Sequence, residues 1–212
     1  MAHSGIEVLF QGKNFLRLMG GLWTSVWIAG VSLGFGLLLG TFLGVLRTLK
    51  NAVLRVVLRL YLEFFRIVPT IVLLFLVYYI LPRRFHIEVS AEWMAVLAFS
   101  LWILAEFSDI VRGALESVPK HQREAGLALG LTQGQLFVHV LMPQAFMLEL
   151  PAAINLATRV INVGQQIIEA NNQQYPSGVF WIYGFIFMLY FIVDYPLSLI
   201  SKMLQQKFSA NL

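Results

Sequence analysis

Long apolar runs separated by short basic stretches dominate the chain. No charged residue occurs between Arg17 and Arg47, a run longer than the roughly 20 apolar residues a helix needs to cross a bilayer. Within it Gly36, Gly40 and Gly44 recur every fourth residue and share one helix face, where a neighbouring helix can pack closely. Further apolar segments are predicted from about Val57 to Leu81, Trp93 to about Leu115, Pro143 to about Asn162 and Val179 to about Ile200. Pro69 is expected to kink or unwind the second of these. Pro82-Arg83-Arg84 heads a polar loop, and Ile167 to Gly178 ends in turn-forming residues and reads as another. The fourth segment is the weakest: only nine uncharged residues separate Glu149 from Arg159, so Arg159 is assigned to neither side of a membrane.

The longest departure from this pattern lies between the third and fourth segments, at Glu124 to Pro143. Pro119 suits a first helical turn, where its missing N–H costs nothing, and residues 120–129 then read as a short helix. Ala125, Gly126 and Ala128 would keep one side of it low enough for another protein to approach. Gly130 is a plausible left-handed stop. Thr132 and Gln135 form a T-x-x-Q capping box that starts a second helix, which Pro143 is expected to end. The product is a small, stiff, two-helix projection.

Composition makes this a membrane protein. The chain of 212 residues is 58% hydrophobic and 12% charged, whereas about a quarter of the residues of a soluble domain are charged. There is no Cys, which removes disulfides, thiol nucleophiles and cysteine metal sites. Residues 1–12, MAHSGIEVLFQG, read as an expression-tag scar, since IEVLFQG resembles a viral protease site used to remove tags. Residues 13–212 are left as one all-α polytopic domain of about five transmembrane helices.

Acids inside apolar runs are the candidate chemistry. Glu106, Asp109, Arg112 and Gly113 fall along one side of the third helix. Pairing of Asp109 with Arg112, and of Arg112 with Glu116, would make these charges tolerable. Glu106 lies deeper, with no evident partner. Glu63 and Arg66, three residues apart, are expected to pair across one helix face. Glu106, Glu149 and Asp194 are substrate-path candidates: two of them facing a pore would favour a cationic group.

The motifs point to one family. Glu124-Ala125-Gly126, then Gly130, then Val140-Leu141-Met142-Pro143 closely resembles the EAA loop of ABC-transporter permeases. Glu63, Arg66 and Pro69 resemble that family's E-x-x-R-x-x-P signature, and Asp109-Ile110-Val111-Arg112-Gly113 its E-I-x-R-G motif with Asp in place of Glu. The five-span layout looks most like the polar amino-acid importer group. Near Asn155 to Leu156 the resemblance lapses, because the family pattern carries about 20 further residues there, roughly one span. The resemblance implies a type I importer permease fold in which Glu124, Ala125, Gly126, Leu129 and Gly130 form the coupling element. It also implies two ABC ATPase subunits, a second permease copy or a sister permease, and an extracytoplasmic substrate-binding protein. ATP and Mg would be bound by the ATPase subunits. No cofactor is expected in this chain, no metal and no nucleic-acid partner.

Charge distribution sets an expected orientation. Five spans with the start outside place Arg47, Lys50, Arg55, Arg59, Arg66, Arg112, Lys120, Arg123, Lys202 and Lys207 inside, 10 in all, against 4 outside: Lys13, Arg17, Arg83 and Arg84. Basic residues favour the cytoplasmic side, so the N-terminus is expected outside and the C-terminus and projection in the cytoplasm, in what the resemblance implies is a bacterial inner membrane. No G-x-x-x-x-G-K-[ST] phosphate loop is present and no Ser/His/Asp arrangement stands out, so the chain is expected to be a transport subunit rather than an enzyme. Two alternatives stay open: an ATP-independent secondary transporter or channel, which would need paired broken helices in two similar halves, and a membrane scaffold that only docks an ATPase. A permease for another small solute is a third.

Overall fold

The computed structural model describes residues 14–49, 51–86, 88–170 and 179–209, and every regular element among them is helical. Helix α1 spans Asn14–Arg47 and α2 Ala52–Ile67. Helices α3 (Thr70–Phe75) and α4 (Leu81–Phe85) are joined by a π-helical turn at Leu76–Ile80. Then come α5 (Ala91–Ser117), α6 (Lys120–Ala128), α7 (Gln133–Leu136), a second π-helical turn (Phe137–Leu141), α8 (Met142–Ala170) and α9 (Val179–Ser209). Four stretches are long and apolar enough to cross a membrane: Asn14–Arg47, Ala91–Ser117, Gln133–Ile161 and Tyr183–Lys207. The bent pair Ala52–Ile67 with Thr70–Phe85 makes a fifth if it is one span. The all-α polytopic architecture expected from the hydrophobic pattern is thus the one found.

Helix α5 is the centre of the fold. More than half of its apolar stretch, 56%, is buried, against 17–28% for the other three. Phe99, Ile103, Phe107 and Val111 of α5 form the main core with Leu156 and Val160 of α8 and Ile186 and Tyr190 of α9. A second cluster packs Leu62, Phe65, Leu73 and Val77 against Met94, Ala98 and Ala105 on another side of α5. Against α5 the glycine face of α1 lies flush: a Cβ at Gly36 would sit 2.5 Å from Ile103, at Gly40 3.0 Å from Phe107, and at Gly44 2.6 Å from Val111. Small residues let two backbones approach where the lipid offers no hydrophobic drive to bring them together. Polar clasps add to this: Ser32 donates to the Val96 carbonyl at 3.3 Å, Tyr61 to the Leu101 carbonyl at 2.9 Å, and Ser201 of α9 to the Pro151 carbonyl of α8 at 3.1 Å. Outward, α1 presents Phe35, Leu38, Leu39 and Phe42, side chains suited to lipid or to another subunit.

Several boundaries differ from the expected ones, each for a local reason. The second segment is no single kinked helix. Val68 and Pro69 are extended, and the helices on either side diverge by 102°, because proline cannot donate to the turn before it and pushes its predecessor out of helical conformation. Its helix also starts earlier than Val57, at Ala52, where the Asn51 side chain accepts from Leu54 N–H at 3.1 Å; Arg55, which lies ahead of the expected start, is therefore a helical residue. Pro82-Arg83-Arg84 lies within α4, proline being welcome in a first turn, and the loop begins at His86, whose φ is +52°. Pro143 does not end a helix. The π-helical turn ahead of it carries Met142 N–H to the Phe137 carbonyl, which widens the backbone just where proline joins it, and the chain continues as α8 through Asn155 and Leu156 to Ala170. Ile167–Ala170 is accordingly helix rather than loop. Residues 1–12, Lys13 and 171–178 lie outside the described residues.

If the glycine face holds α1 to α5, Gly44→Ala should cost about 1–3 kcal/mol through overpacking and lower the thermal midpoint of the purified protein. Gly34→Ala, where nothing lies within 4 Å of the added Cβ, should leave that midpoint unchanged. Equal midpoints for the two variants would refute the close-packing account.

Candidate coupling projection and its charged anchor

Local chemistry alone builds the projection. Val118 and Pro119 are extended, and Lys120 opens α6. At its far end Gly130, with φ +83°, donates to the Leu127 carbonyl at 3.0 Å, and Leu131 N–H reaches back to the Gly126 carbonyl at 3.1 Å. These are the paired bonds of a Schellman stop, which needs a left-handed residue and favours glycine. Two residues on, the capping box forms as the T-x-x-Q spacing predicts: Gln135 N–H donates to the Thr132 hydroxyl, and Thr132 N–H donates to the Gln135 side chain at 2.9 Å. Gln144 of α8 donates to the Gln122 side chain, tying the projection to the span that follows.

The predicted coupling residues divide between surface and interior. Glu124, Ala125, Leu129 and Gly130 are exposed, Leu129 by 83%. Gly126 is buried, and a Cβ there would lie 2.5 Å from Leu136. The expectation that Gly126 lowers the outer face for a partner is therefore corrected: its missing side chain lets α6 close on α7. The same spacing reads either way in sequence, since only the fold decides which face of a nine-residue helix turns inward.

Beside the projection, at the end of α5 from which it grows, lies a cluster of ion pairs. Asp109 accepts from Arg66 Nη2 at 2.6 Å and from Arg47 Nη1 at 3.0 Å, with Arg112 Nη2 at 3.5 Å. One carboxylate thus joins α1, α2 and α5. Arg112 also binds Glu116 at 3.0 Å, and Arg66 lies 3.5 Å from Glu106. The predicted Asp109–Arg112 and Arg112–Glu116 pairs are both present. Glu106, expected to lack a partner, has Arg66. Among the described residues no ion pair joins Glu63 to Arg66, because the break at Pro69 and the packing of α2 on α5 turn Arg66 toward Asp109. Arg47 was legible only as a basic marker; its partner is 62 positions away, beyond any local spacing rule.

Two cavities adjoin this cluster. The larger, about 490 Å³, lies between α1, α2 and α5 and includes Arg47, Arg66, Asp109 and Arg112 in its wall; the smaller, about 260 Å³, runs from Glu116 to Arg123 and Phe137. Glu106, Glu149 and Asp194 line neither. Glu149 is buried on α8, at 4% exposure, with no ion pair among the described residues, and Asp194 is half-buried on α9.

Comparison with known proteins follows the same lines. Residues 36–209 match the family described as binding-protein-dependent transport system inner membrane component. The L-cystine transport system permease protein TcyB of Bacillus subtilis (strain 168) is 29% identical over 214 residues, covering 94% of this chain and 89% of that protein. The arginine transport system permease protein ArtQ of the same organism is 29% identical over 166 residues, covering 71% and 74%. Among solved structures, a chain from the crystal structure of an amino acid ABC transporter with histidines superposes with a TM-score of 0.80 at 22% identity, covering 98% of this chain and 100% of that one.

Asp109→Asn should destabilise the purified protein by about 1–3 kcal/mol, since it strands guanidiniums that are only partly solvated. In double-mutant cycles with Asp109→Asn, Arg47→Gln should show the larger coupling and Arg66→Gln the smaller, because the Arg47 side chain is 12% exposed and that of Arg66 44%; couplings in the range of about 0.5–3 kcal/mol are measurable by denaturation in mixed micelles. Zero coupling in both cycles would mean the cluster anchors nothing.

Proposed function

Since this chain belongs to the binding-protein-dependent transport system inner membrane component family, we propose that it forms the translocation path for polar amino acids in an ATP-binding-cassette importer. On this reading two ABC ATPase subunits dock on the projection, a second permease copy or a sister permease completes the path, and an extracytoplasmic binding protein delivers substrate. ATP and Mg bind to the ATPase subunits. The chain lies in a bacterial inner membrane with its N-terminus outside and its C-terminus and projection in the cytoplasm, supported by the bias of Lys and Arg toward the projection's side.

The observation that carries this reading is the projection itself: an exposed short helix, Lys120–Ala128, closed at Gly130 and set between the candidate spans Ala91–Ser117 and Gln133–Ile161, the second of which begins with α7. Glu124, Ala125, Leu129 and Gly130 offer the docking surface, and Gly126 supports it from within. Nucleotide-driven closure of the ATPases would move the projection together with α8. Asp109, Arg112 and Arg66, with Glu63 and Pro69 nearby, serve as the cytoplasmic gate anchor.

Substrate class is read from relatives and from one buried acid. The two relatives are named for cystine and for arginine, which supports amino acids in general. Glu106, drawn to Arg66, now belongs with the gate. Glu149, buried and without an ion pair among the described residues, is the better path candidate for a cationic side chain, with Asp194 second.

ATP-driven uptake of radiolabelled arginine, histidine, glutamine and glutamate, measured in proteoliposomes with the co-purifying subunits, tests both parts. Ala125→Arg should abolish uptake of every substrate while the complex stays assembled; uptake that persists without ATP would instead favour a secondary transporter. Glu149→Gln should reduce arginine uptake by tenfold or more, by a loss of about 1.4 kcal/mol, and spare glutamine. Unchanged arginine uptake would remove Glu149 from the path.

A further inference from the structure

The larger cavity carries more positive charge than its own ion pairs consume. Its wall holds five arginines and three acids, and with Glu106, which pairs with Arg66 from outside the wall, a surplus of one remains. Arg47, Arg66 and Arg112 are engaged with Asp109, Glu106 and Glu116. Arg55 and Arg59, one helical turn apart on α2, face the same space and have no ion pair among the described residues, even though Glu63 stands one turn beyond Arg59. At about 490 Å³ the space is of a size that holds a small polar group. Planar guanidiniums converging there match the oxygens of a phosphate ester.

The rest of α2 says what that phosphate is attached to. Val53, Val56, Val57, Leu60, Phe64 and Ile67 are all more than half exposed and follow a helical repeat of three and four, so they form one apolar stripe beside the arginine face. Leu58, Leu62 and Phe65 supply a third, buried face, with Leu62 and Phe65 packed against α5. Because α2 diverges by 102° from Thr70–Phe85, the two cannot both run along the membrane normal. A helix with a basic face and a separate apolar face suits the boundary between headgroups and acyl chains, and basic pockets between membrane helices on the cytoplasmic side take anionic headgroups.

We propose that the cavity walled by Arg55, Arg59 and the Asp109 ion-pair cluster binds the phosphate headgroup of an anionic phospholipid, with the acyl chains lying along the apolar stripe of α2. The site rests on the cytoplasmic orientation proposed above only for the leaflet it faces; its binding chemistry is independent of transport.

The test is native mass spectrometry and thermal unfolding of the full chain with its co-purifying subunits in detergent, titrated with phosphatidylglycerol, with phosphatidylcholine of the same acyl chains, and with inorganic phosphate. Phosphatidylglycerol should bind and raise the unfolding temperature, and phosphatidylcholine should do neither. Arg55→Gln with Arg59→Gln should weaken phosphatidylglycerol binding by roughly thirtyfold, two arginine contacts' worth. Arg83→Gln with Arg84→Gln, which removes the same charge from α4, should leave it intact. Equal retention of the two lipids, equal loss in the two double variants, or protection by inorganic phosphate that matches the lipid's would each overturn the proposal. Loss of uptake in Ala125→Arg with lipid binding unchanged would separate the two readings.

Discussion

Asp109 is the point on which the helices at one end of the molecule depend. A single carboxylate has two oxygens and about four acceptor positions, and here it meets guanidiniums from α1, from α2 and from its own helix. Such an arrangement is tolerable in an apolar setting only because the charges nearly cancel within the cluster: Glu106 and Glu116 share the load of Arg66 and Arg112. Partial solvation lowers the desolvation penalty while leaving the geometry specific. The result ties the ends of α1 and α2 to α5 across 62 and 43 positions of sequence, in the same region where Gly44 and Phe65 pack against that helix.

That junction in turn requires the close approach of α1 and α5. Gly44 meets Val111 near Asp109, and Arg47 follows less than one turn later. Any side chain that pushed the two backbones apart at Gly44 would also draw Arg47 away from its acid. Packing and electrostatics therefore act in series here, and the glycines set the distance at which the ion pair forms. Arg66 has a different route, through the break at Pro69, which ends α2 at Ile67 and leaves its last turn against α5.

Much of this was legible before any coordinates. The long uncharged run of α1, the glycine period, the T-x-x-Q box and the Gly130 stop all depend on residues within one or two turns, and they appear where spacing places them. What sequence obscured was the long-range partner. Arg47 to Asp109, Arg66 to Asp109 and Ser201 to Pro151 each cross between helices, and local spacing offered Glu63 for Arg66 instead. Continuity through Pro143 was hidden for another reason: a wide π-helical turn leaves no composition signal, so the proline looked like an end. Gly126 shows the limit most plainly, since its smallness was visible but the direction it faced was not.

The double closure of the projection, by a Schellman stop and then by a capping box, has an entropic consequence. A nine-residue segment that had to fold on contact would forfeit roughly 1–2 kcal/mol of backbone freedom per residue, about 10 kcal/mol or more against any surface that received it. Here α6 is already ordered in the free chain, its last turn closed by the bonds from Gly130 and Leu131 N–H to the Leu127 and Gly126 carbonyls, so a receiving surface meets a rigid body. A small patch around Ala125 and Leu129 can then hold it with modest total affinity, and a contact of that kind can form and release without refolding.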